Sequence, residues 1–489
     1  MEPAASEGDT ERHAELVALL VAATRRRRER RVARTVAVWQ VVLRDYSDDD
    51  DAGTDEDNDP PMKRTRRVLP RPDYRASFWW RMLGETGLKE PGSREARLFR
   101  RRFRIPYQFF TELIELVKEK KWFSIRQTDV AGRQCIPVEL KVLASLHILG
   151  RGNFFEDMTQ MSHISEPTIQ STFHKFNKLF AQEFYHDHVH LPTAGEDQDQ
   201  VMRHYDLPGF TGAIGSTDVT HIKWAACPYS WAKHYTGKEG FATIAFQAIV
   251  DHTGRLLAAT KGFGGSMNDK TIITYDAAIT KIREDPVYKE KEYTLFDKHG
   301  EPFQRKGNYS IVDNGYNKWE ILIPPSKFAG TDIEIRWSKA LESVRKDVEC
   351  FFGILKGRFR ILKLGILFQS LEDINNMFFT CCTLHNMLHA FDGLDEFEPT
   401  VEWGGKEGLH DPWDNPPLLD ESTTGSTSTS VDDDNANTKP VQEHFILKKA
   451  LVAHFEVRRQ QRSIRWLKHT APGRRHASRN VEIANVETA

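Results

Sequence analysis

Gly215-Ser216-Thr217-Asp218-Val219-Thr220-His221-Ile222, entered through the apolar pair Ala213-Ile214, is the stretch that decides the fold. A short apolar run bounded by glycine and ending in an acid reads as a buried strand that delivers one charged side chain at a sheet edge. Tyr309-Ser310-Ile311-Val312-Asp313-Asn314-Gly315-Tyr316 repeats the pattern, with Ile311-Val312 as the run and Asp313 as the acid. Arg345-Lys346-Asp347-Val348-Glu349 differs. Val348, Phe351, Phe352, Leu355 and Phe359 recur at helical spacing, so Glu349 borders a helix's buried stripe and is expected to point into a cleft. Strands and helices of this kind predict a mixed α/β domain.

Carboxylates brought together from two strands and a helix are oxygen ligands for hard divalent cations, Mg2+ or Mn2+, which leave their remaining positions to water and phosphate. The expected substrate is a phosphodiester, and the expected chemistry is an in-line displacement assisted by two metal ions about 3.5–4 Å apart. Each acid also has an ordinary structural reading. Asp313 before Asn-Gly suits a turn, Asp218 suits a strand end, and Glu349 suits a helix-surface ion pair with Arg345. Glu342, on the same helix face, is the nearest rival for the third ligand. Asn268 and Asp269 read as a cap for a helix over Thr271-Ile272-Ile273, and Asp251 as the turn of a hairpin joining 243–250 to 256–263.

These segments resemble the Harbinger-type DDE transposases and their domesticated, nuclease-like relatives. The resemblance covers Gly212 to Cys227-Pro228, Trp231, Tyr235-Thr236-Gly237-Lys238, Gly264-Gly265-Ser266-Met267-Asn268-Asp269, Asp313 to Trp319, Arg345 to Lys356, and Leu384-His385-Asn386-Met387. Glu349 follows Asp313 by 36 positions, the short second interval of that superfamily, while Val219 stands where the family usually carries a small residue. The resemblance implies an RNase H-like mixed-sheet DDE catalytic domain with Asp218, Asp313 and Glu349 as its triad. It also implies an endonuclease or transposase acting on DNA as a homo-oligomer, with a Myb-like accessory protein supplying specificity. The competing reading is a domesticated, catalytically silent DNA-binding regulator that keeps the fold.

Ahead of that domain, 140–149, 154–161 and 165–180 form three helix candidates joined by short turns. Ser165 suits an N-cap, Pro167 fits the first turn, and Ile169, Phe173, Phe176 and Phe180 make the buried stripe. The arrangement resembles a helix-turn-helix that turns Thr168, Gln170, Ser171 and His174 toward DNA. Lys346, Lys356, Arg358 and Arg360 flank Glu349 and are expected to meet phosphates. Cys381, His385 and His389 at i, i+4 and i+8 imitate a zinc site, but their apolar surroundings favour a buried core helix.

The chain of 489 residues, 39% of them hydrophobic, accommodates two or more domains with polar ends. The expected division is a disordered charged tail over 1–75, an all-α helix-turn-helix-like domain over 76–185, the catalytic domain over 209–392, and a low-complexity, basic tail over 393–489. A net charge of −2 conceals Arg25-Arg26-Arg27-Arg28 and Lys63-Arg64-Thr65-Arg66-Arg67 on either side of an acidic run. Five scattered cysteines argue against a disulfide framework and for a reducing compartment. No secretory leader or membrane span is expected.

A DNA-acting enzyme of this length needs an address, and nuclear accumulation is predicted to depend mainly on Lys63, Arg64, Arg66 and Arg67. Imaging a fluorescent fusion in which these four are alanine checks it: an undiminished nuclear signal moves the address to Arg25–Arg31 or to a carrier.

Overall fold

The computed structural model describes residues 72–401 and 439–469, apart from 130, 131, 133 and 328. The two basic blocks, the acidic run and the segment 420–438 lie outside the described residues, as do most of the two expected tails. Strands are numbered β1 (Ala213–Lys223), β2 (Thr243–Val250), β3 (Leu256–Ala259), β4 (Phe263–Gly264), β5 (Glu292–Phe296), β6 (Pro302–Lys306), β7 (Tyr309–Ile311), β8 (Leu322–Ile323), β9 (Phe397–Thr400) and β10 (Trp466–His469). The main sheet is mixed and runs β3-β2-β1-β7-β8, with β4 also paired to β2. β1, β2 and β3 are antiparallel, whereas β7 and β8 join β1 in parallel.

Both faces of this sheet are covered, which accounts for apolar runs in place of alternation. On β2, Ile244, Phe246, Ala248 and Val250 face one core cluster and Ile249 faces the other. Gly215 permits the approach of β2 to β1, because a Cβ there would lie 2.5 Å from the Ile249 Cγ2. As read from sequence, Asp251 closes the β2–β3 hairpin: its Oδ1 accepts from the amides of Thr253 and Arg255 at 2.9 and 3.1 Å.

Helices of eight residues or more are numbered α1 (Arg94–Phe103), α2 (Tyr107–Glu119), α3 (Val138–Arg151), α4 (Phe155–Ser162), α5 (Glu166–His188), α6 (Glu196–Asp206), α7 (Ala277–Glu284), α8 (Asp332–Arg358), α9 (Leu371–Phe391) and α10 (Lys439–Gln460). The three expected helices are α3, α4 and α5. The last runs on to His188 because Ala181, Phe184 and Tyr185 continue its buried stripe.

The helical region does not stand apart from the sheet. One continuous apolar cluster joins Trp79, Phe103, Leu143 and Phe173 to Phe246, Phe351 and Phe378, so no break in the core marks the expected boundary after residue 185. The Tyr185 hydroxyl accepts from the Ala259 amide at 3.0 Å, and the Phe246 and Phe378 rings stack at 3.8 Å.

On α9, Asn386 accepts from the Leu256 amide at 2.9 Å and donates to the Leu256 carbonyl at 2.7 Å. A side-chain amide here supplies the pairing that an edge strand lacks. His385 and His389 donate through Nε2 to the Gly254 and Thr253 carbonyls at 3.1 and 2.9 Å, and Cys381 and Cys382 are wholly buried. His385 and His389 therefore clamp the β2–β3 hairpin, while the two cysteines fill the core beside them.

The connector 186–208 contains α6, which buries Val201 and Tyr205 in the second cluster. The segment 439–469, expected within a basic tail, forms α10 and buries Leu447, Leu451 and Phe455 in that cluster. β10 then pairs antiparallel with β9. Leu447, Leu451 and Phe455 at i, i+4 and i+8 form an apolar stripe on one face of α10, and burial is its stable arrangement. Leu451→Ala should lower unfolding stability by about 2–5 kcal/mol. Ile446→Ala, 54% exposed on the same helix, should change it by less than about 0.5 kcal/mol; urea titration separates the two.

Candidate functional site

The parallel register of β1 and β7 matches Ser216 with Ile311, so Asp218 and Asp313 each lie two residues beyond a matched pair. Residues two apart in an extended chain share a face, and neighbouring strands are about 5 Å apart, so the two acids project side by side. Hydroxyls hold that register. Thr217 Oγ1 lies 2.6 Å from Ser310 Oγ, which itself donates to the Gly215 carbonyl at 3.0 Å.

Each acid is held locally. Asp218 Oδ1 accepts from the Val219 amide at 2.8 Å, and Asp313 Oδ1 accepts from the Gly315 amide at 2.7 Å. Asp269 joins them. Asn268 takes the cap, its Oδ1 accepting from the Thr271 amide at 2.8 Å, which leaves Asp269 free of that task. Asn317 Nδ2 donates to the Lys270 carbonyl at 3.0 Å and ties the Asp313 loop to this turn.

The electrostatics show the crowding. Burial pushes the Asp218 carboxyl up to about 6, with Asp313 and Asp269 adding to the rise and the Val219 amide and Arg345 opposing it. Burial and the Asp313 charge raise Asp269 as well, against Lys238 and His221. Tyr316 is 5% exposed, and its buried hydroxyl has no hydrogen-bond partner among the described residues. Burial and the fields of Asp218, Asp269 and Asp313 hold that phenol well above its ordinary value.

Glu349 reaches the same neighbourhood from α8 through Arg345. The Arg345 guanidinium lies 2.8 Å from Glu349, 3.0 Å from Glu342 and 3.6 Å from Asp218. Burial works to lower this guanidinium, but Glu342, Glu349 and Asp218 together raise it above its usual value. Among the described residues, no three His, Cys, Asp or Glu side chains are gathered closely enough to hold an ion.

The expected DNA-facing side chains divide. Gln170, Ser171 and Lys346 are exposed, and Thr168 is half-buried with its Oγ1 2.9 Å from Ser165 Oγ. His174 lies against the Phe155, Phe173 and Phe368 rings, 3.4 Å from Asp373. Lys356 donates to the His221 carbonyl at 3.0 Å and braces β1. Arg358 turns inward, a correction to its expected place at a phosphate-facing surface. It follows Phe351 and Leu355 at helical spacing on the buried stripe, its Nη1 is buried without a hydrogen-bond partner among the described residues, and burial lowers it to about 10. Asp269, read from sequence chiefly as part of a helix cap and only secondarily as a site residue, and Tyr316 are the residues that the fold adds beside Asp218 and Asp313. Two cap formers in succession, of which only one can cap, was the available signal for Asp269.

Residues 187–393 match the family model described as plant transposon protein. A protein named ALP1-like from Arabidopsis thaliana is 21% identical over 303 residues, 61% of this chain and 72% of the relative. Antagonist of like heterochromatin protein 1, from the same plant, is 21% identical over 331 residues, 67% of this chain and 82% of the relative. No solved structure matches the chain.

A carboxyl raised in the folded state from 3.8 to about 6 contributes stability that is complete below the unfolded value and lost as pH rises through the folded one. The loss at neutral pH is about 3 kcal/mol. Asp218→Asn should therefore be more stable than the parent at pH 7.5, with the advantage shrinking toward pH 4. Denaturant titrations across that window check it, and an advantage that grows with acidity would count against the buried carboxylate.

Proposed function

We propose that the chain is a Harbinger-type, transposase-derived protein, a divalent-metal-dependent DNA endonuclease or transposase with an RNase H-like catalytic sheet, a reading supported by the match of residues 187–393 to the plant transposon protein model. The observation that carries this reading is the side-by-side placement of Asp218, in the middle of β1, and Asp313, just past the end of the parallel neighbour β7, with Asp269 beside them. The mixed order β3-β2-β1-β7-β8, antiparallel on one side of β1 and parallel on the other, supports a mixed-sheet catalytic domain.

The donor set fits Mg2+ or Mn2+. It consists of hard carboxylate oxygens: burial raises Asp218 and Asp269, and the Asp313 charge adds to both, a repulsion that a bound cation would relieve. Asp218 and Asp313 would hold the ions, with Glu349 as the third triad member once it leaves Arg345. A pair of such ions supplies activation of an attacking oxygen and stabilisation of the leaving one. The chain's own residues do the positioning: the Thr217–Ser310 contact keeps the two aspartates level, Lys356 braces β1, and Arg345 restrains Glu349. Gln170, Ser171 and Lys346 are the exposed side chains through which α5 and α8 would meet DNA. A Myb-like partner, homo-oligomeric assembly on DNA and a nuclear location complete the proposal.

A second reading has its own observation. Arg345 pairs with Glu349 at 2.8 Å, which holds the third acid to a cation of the chain itself and supports the silent reading.

Nicking of supercoiled DNA with Mg2+ or Mn2+ separates the two. Asp313→Asn should lower the nicking rate at least ~100-fold while DNA affinity, carried mostly by phosphate contacts, changes little. Either cation should also raise the parent's melting temperature and leave that of Asp313→Asn nearly unchanged. Nicking that survives Asp313→Asn overturns the assignment of Asp313, and its absence in the parent despite DNA binding favours the silent regulator.

A further inference from the structure

Between β1 and β2 the chain leaves the sheet for a loop, 224–242, that the carboxylate chemistry does not use. Its surface is aromatic. Tyr229 is 97% exposed, Trp231 41% and Phe241 44%. Large rings left in water forgo the gain of burial, and several together on one loop mark a contact surface. These rings are organised, because Trp231 stacks on Tyr235 with planes 20° apart and both meet the buried Trp224 edge-on, at 5.9 and 4.7 Å. Trp224 is anchored in turn, its Nε1 donating to the Phe368 carbonyl at 2.9 Å.

The charge around them is positive. Lys223 Nζ lies 5.4 Å from the Phe241 ring centre. Lys233 and Lys238 are exposed on the loop, whose single acid is Glu239.

The loop is also clamped beside the carboxylates. Ser266 Oγ donates to the His234 carbonyl at 2.7 Å. Gly237 runs against Gly265 so closely that a Cβ on it would collide with the Gly265 carbonyl. Asp269 follows Ser266 by three residues, a chain that spans no more than roughly 10 Å, and the Lys238 charge is felt at Asp269.

We infer that this loop is a stacking platform for an unpaired nucleobase of the DNA strand that enters the carboxylate site, with Tyr229 and Trp231 taking base faces and Lys233 and Lys238 the adjoining phosphates. The inference rests on the DNA-acting reading above. Stacking suits any base, since every base presents a π-face, and lysines add a salt-dependent hold on the backbone. A fully paired duplex keeps its base faces stacked inside the helix and has none to offer.

The test uses the full chain in EDTA and three DNAs of equal length: a paired duplex, a duplex with a short unpaired loop, and the same loop made of abasic residues. Fluorescence anisotropy should show the unpaired loop bound about tenfold more tightly than its abasic counterpart. Tyr229→Ala with Trp231→Ala should bring that ratio close to one and leave duplex affinity within about twofold. Tyr229→Phe with Trp231→Phe should restore it. Tyr229→Ala alone, at a side chain almost wholly in solvent, should lower the ratio even if the double variant fails to fold.

A ratio of one in the parent overturns the platform. An unchanged ratio in the folded alanine variants overturns it too, and leaves the aromatic surface to a protein partner. Equal binding of the loop and its abasic counterpart in EDTA, together with Mg2+-dependent nicking in a parallel assay without EDTA, keeps the endonuclease reading and discards the platform, whereas failure to bind any of the three DNAs discards both.

Discussion

β1 is hydrogen-bonded along both edges and packed on both faces, yet it must carry a carboxylate in its middle. That requirement organises the rest of the sheet. Gly215 lets β2 come close, the Thr217–Ser310 hydroxyl contact sets the level of β7, and Lys356 ties α8 to the far end of the strand. A buried carboxylate is costly unless a cation or hydrogen bonds answer it. Asp218 receives one backbone amide and a guanidinium at 3.6 Å, which is partial compensation, and its ionised form remains disfavoured.

Arg345 is the second hinge of the arrangement. It stands where α8 passes from one core cluster to the other, with Val344 in the second and Val348 in the first. Its guanidinium answers three carboxylates at once. A single cation shared among several anions leaves each weakly held, so Glu349, whose side chain is 48% exposed, is the one best able to exchange this partner for another. Glu342 and Glu349 compete for Arg345 through ordinary helix spacing, which explains why both looked eligible as the third acid.

Local pattern carried a good part of this into the sequence. Apolar runs ending in Asp218 and Asp313, the helical stripe around Val348 and Phe351, and the Asp251 hairpin are all short-range signals, and each lies where its period places it. The signals that failed were long-range. Arg358 reads as surface by charge but follows the buried stripe, so its position is decided by what packs on α8. α10 is separated from the sheet by a low-complexity stretch, and nothing near it in sequence announces the cluster that Leu451 and Phe455 complete. Tyr316 is an ordinary core tyrosine by composition; only the fold shows its hydroxyl shut in among three acids.

The apolar cluster that runs unbroken from Trp79 through Phe173 to Phe378 has a mechanical meaning. Close-packed interiors do not shear smoothly, so α5 cannot swivel over the sheet as a tethered reading head would. On the proposed DNA-acting reading, a nucleic acid held by α5 would be presented to the acids of β1 and β7 at one built-in offset. The protein would then act as a ruler, with the interval between the gripped nucleotides and the bond at the acids written into the hydrophobic core instead of into a linker.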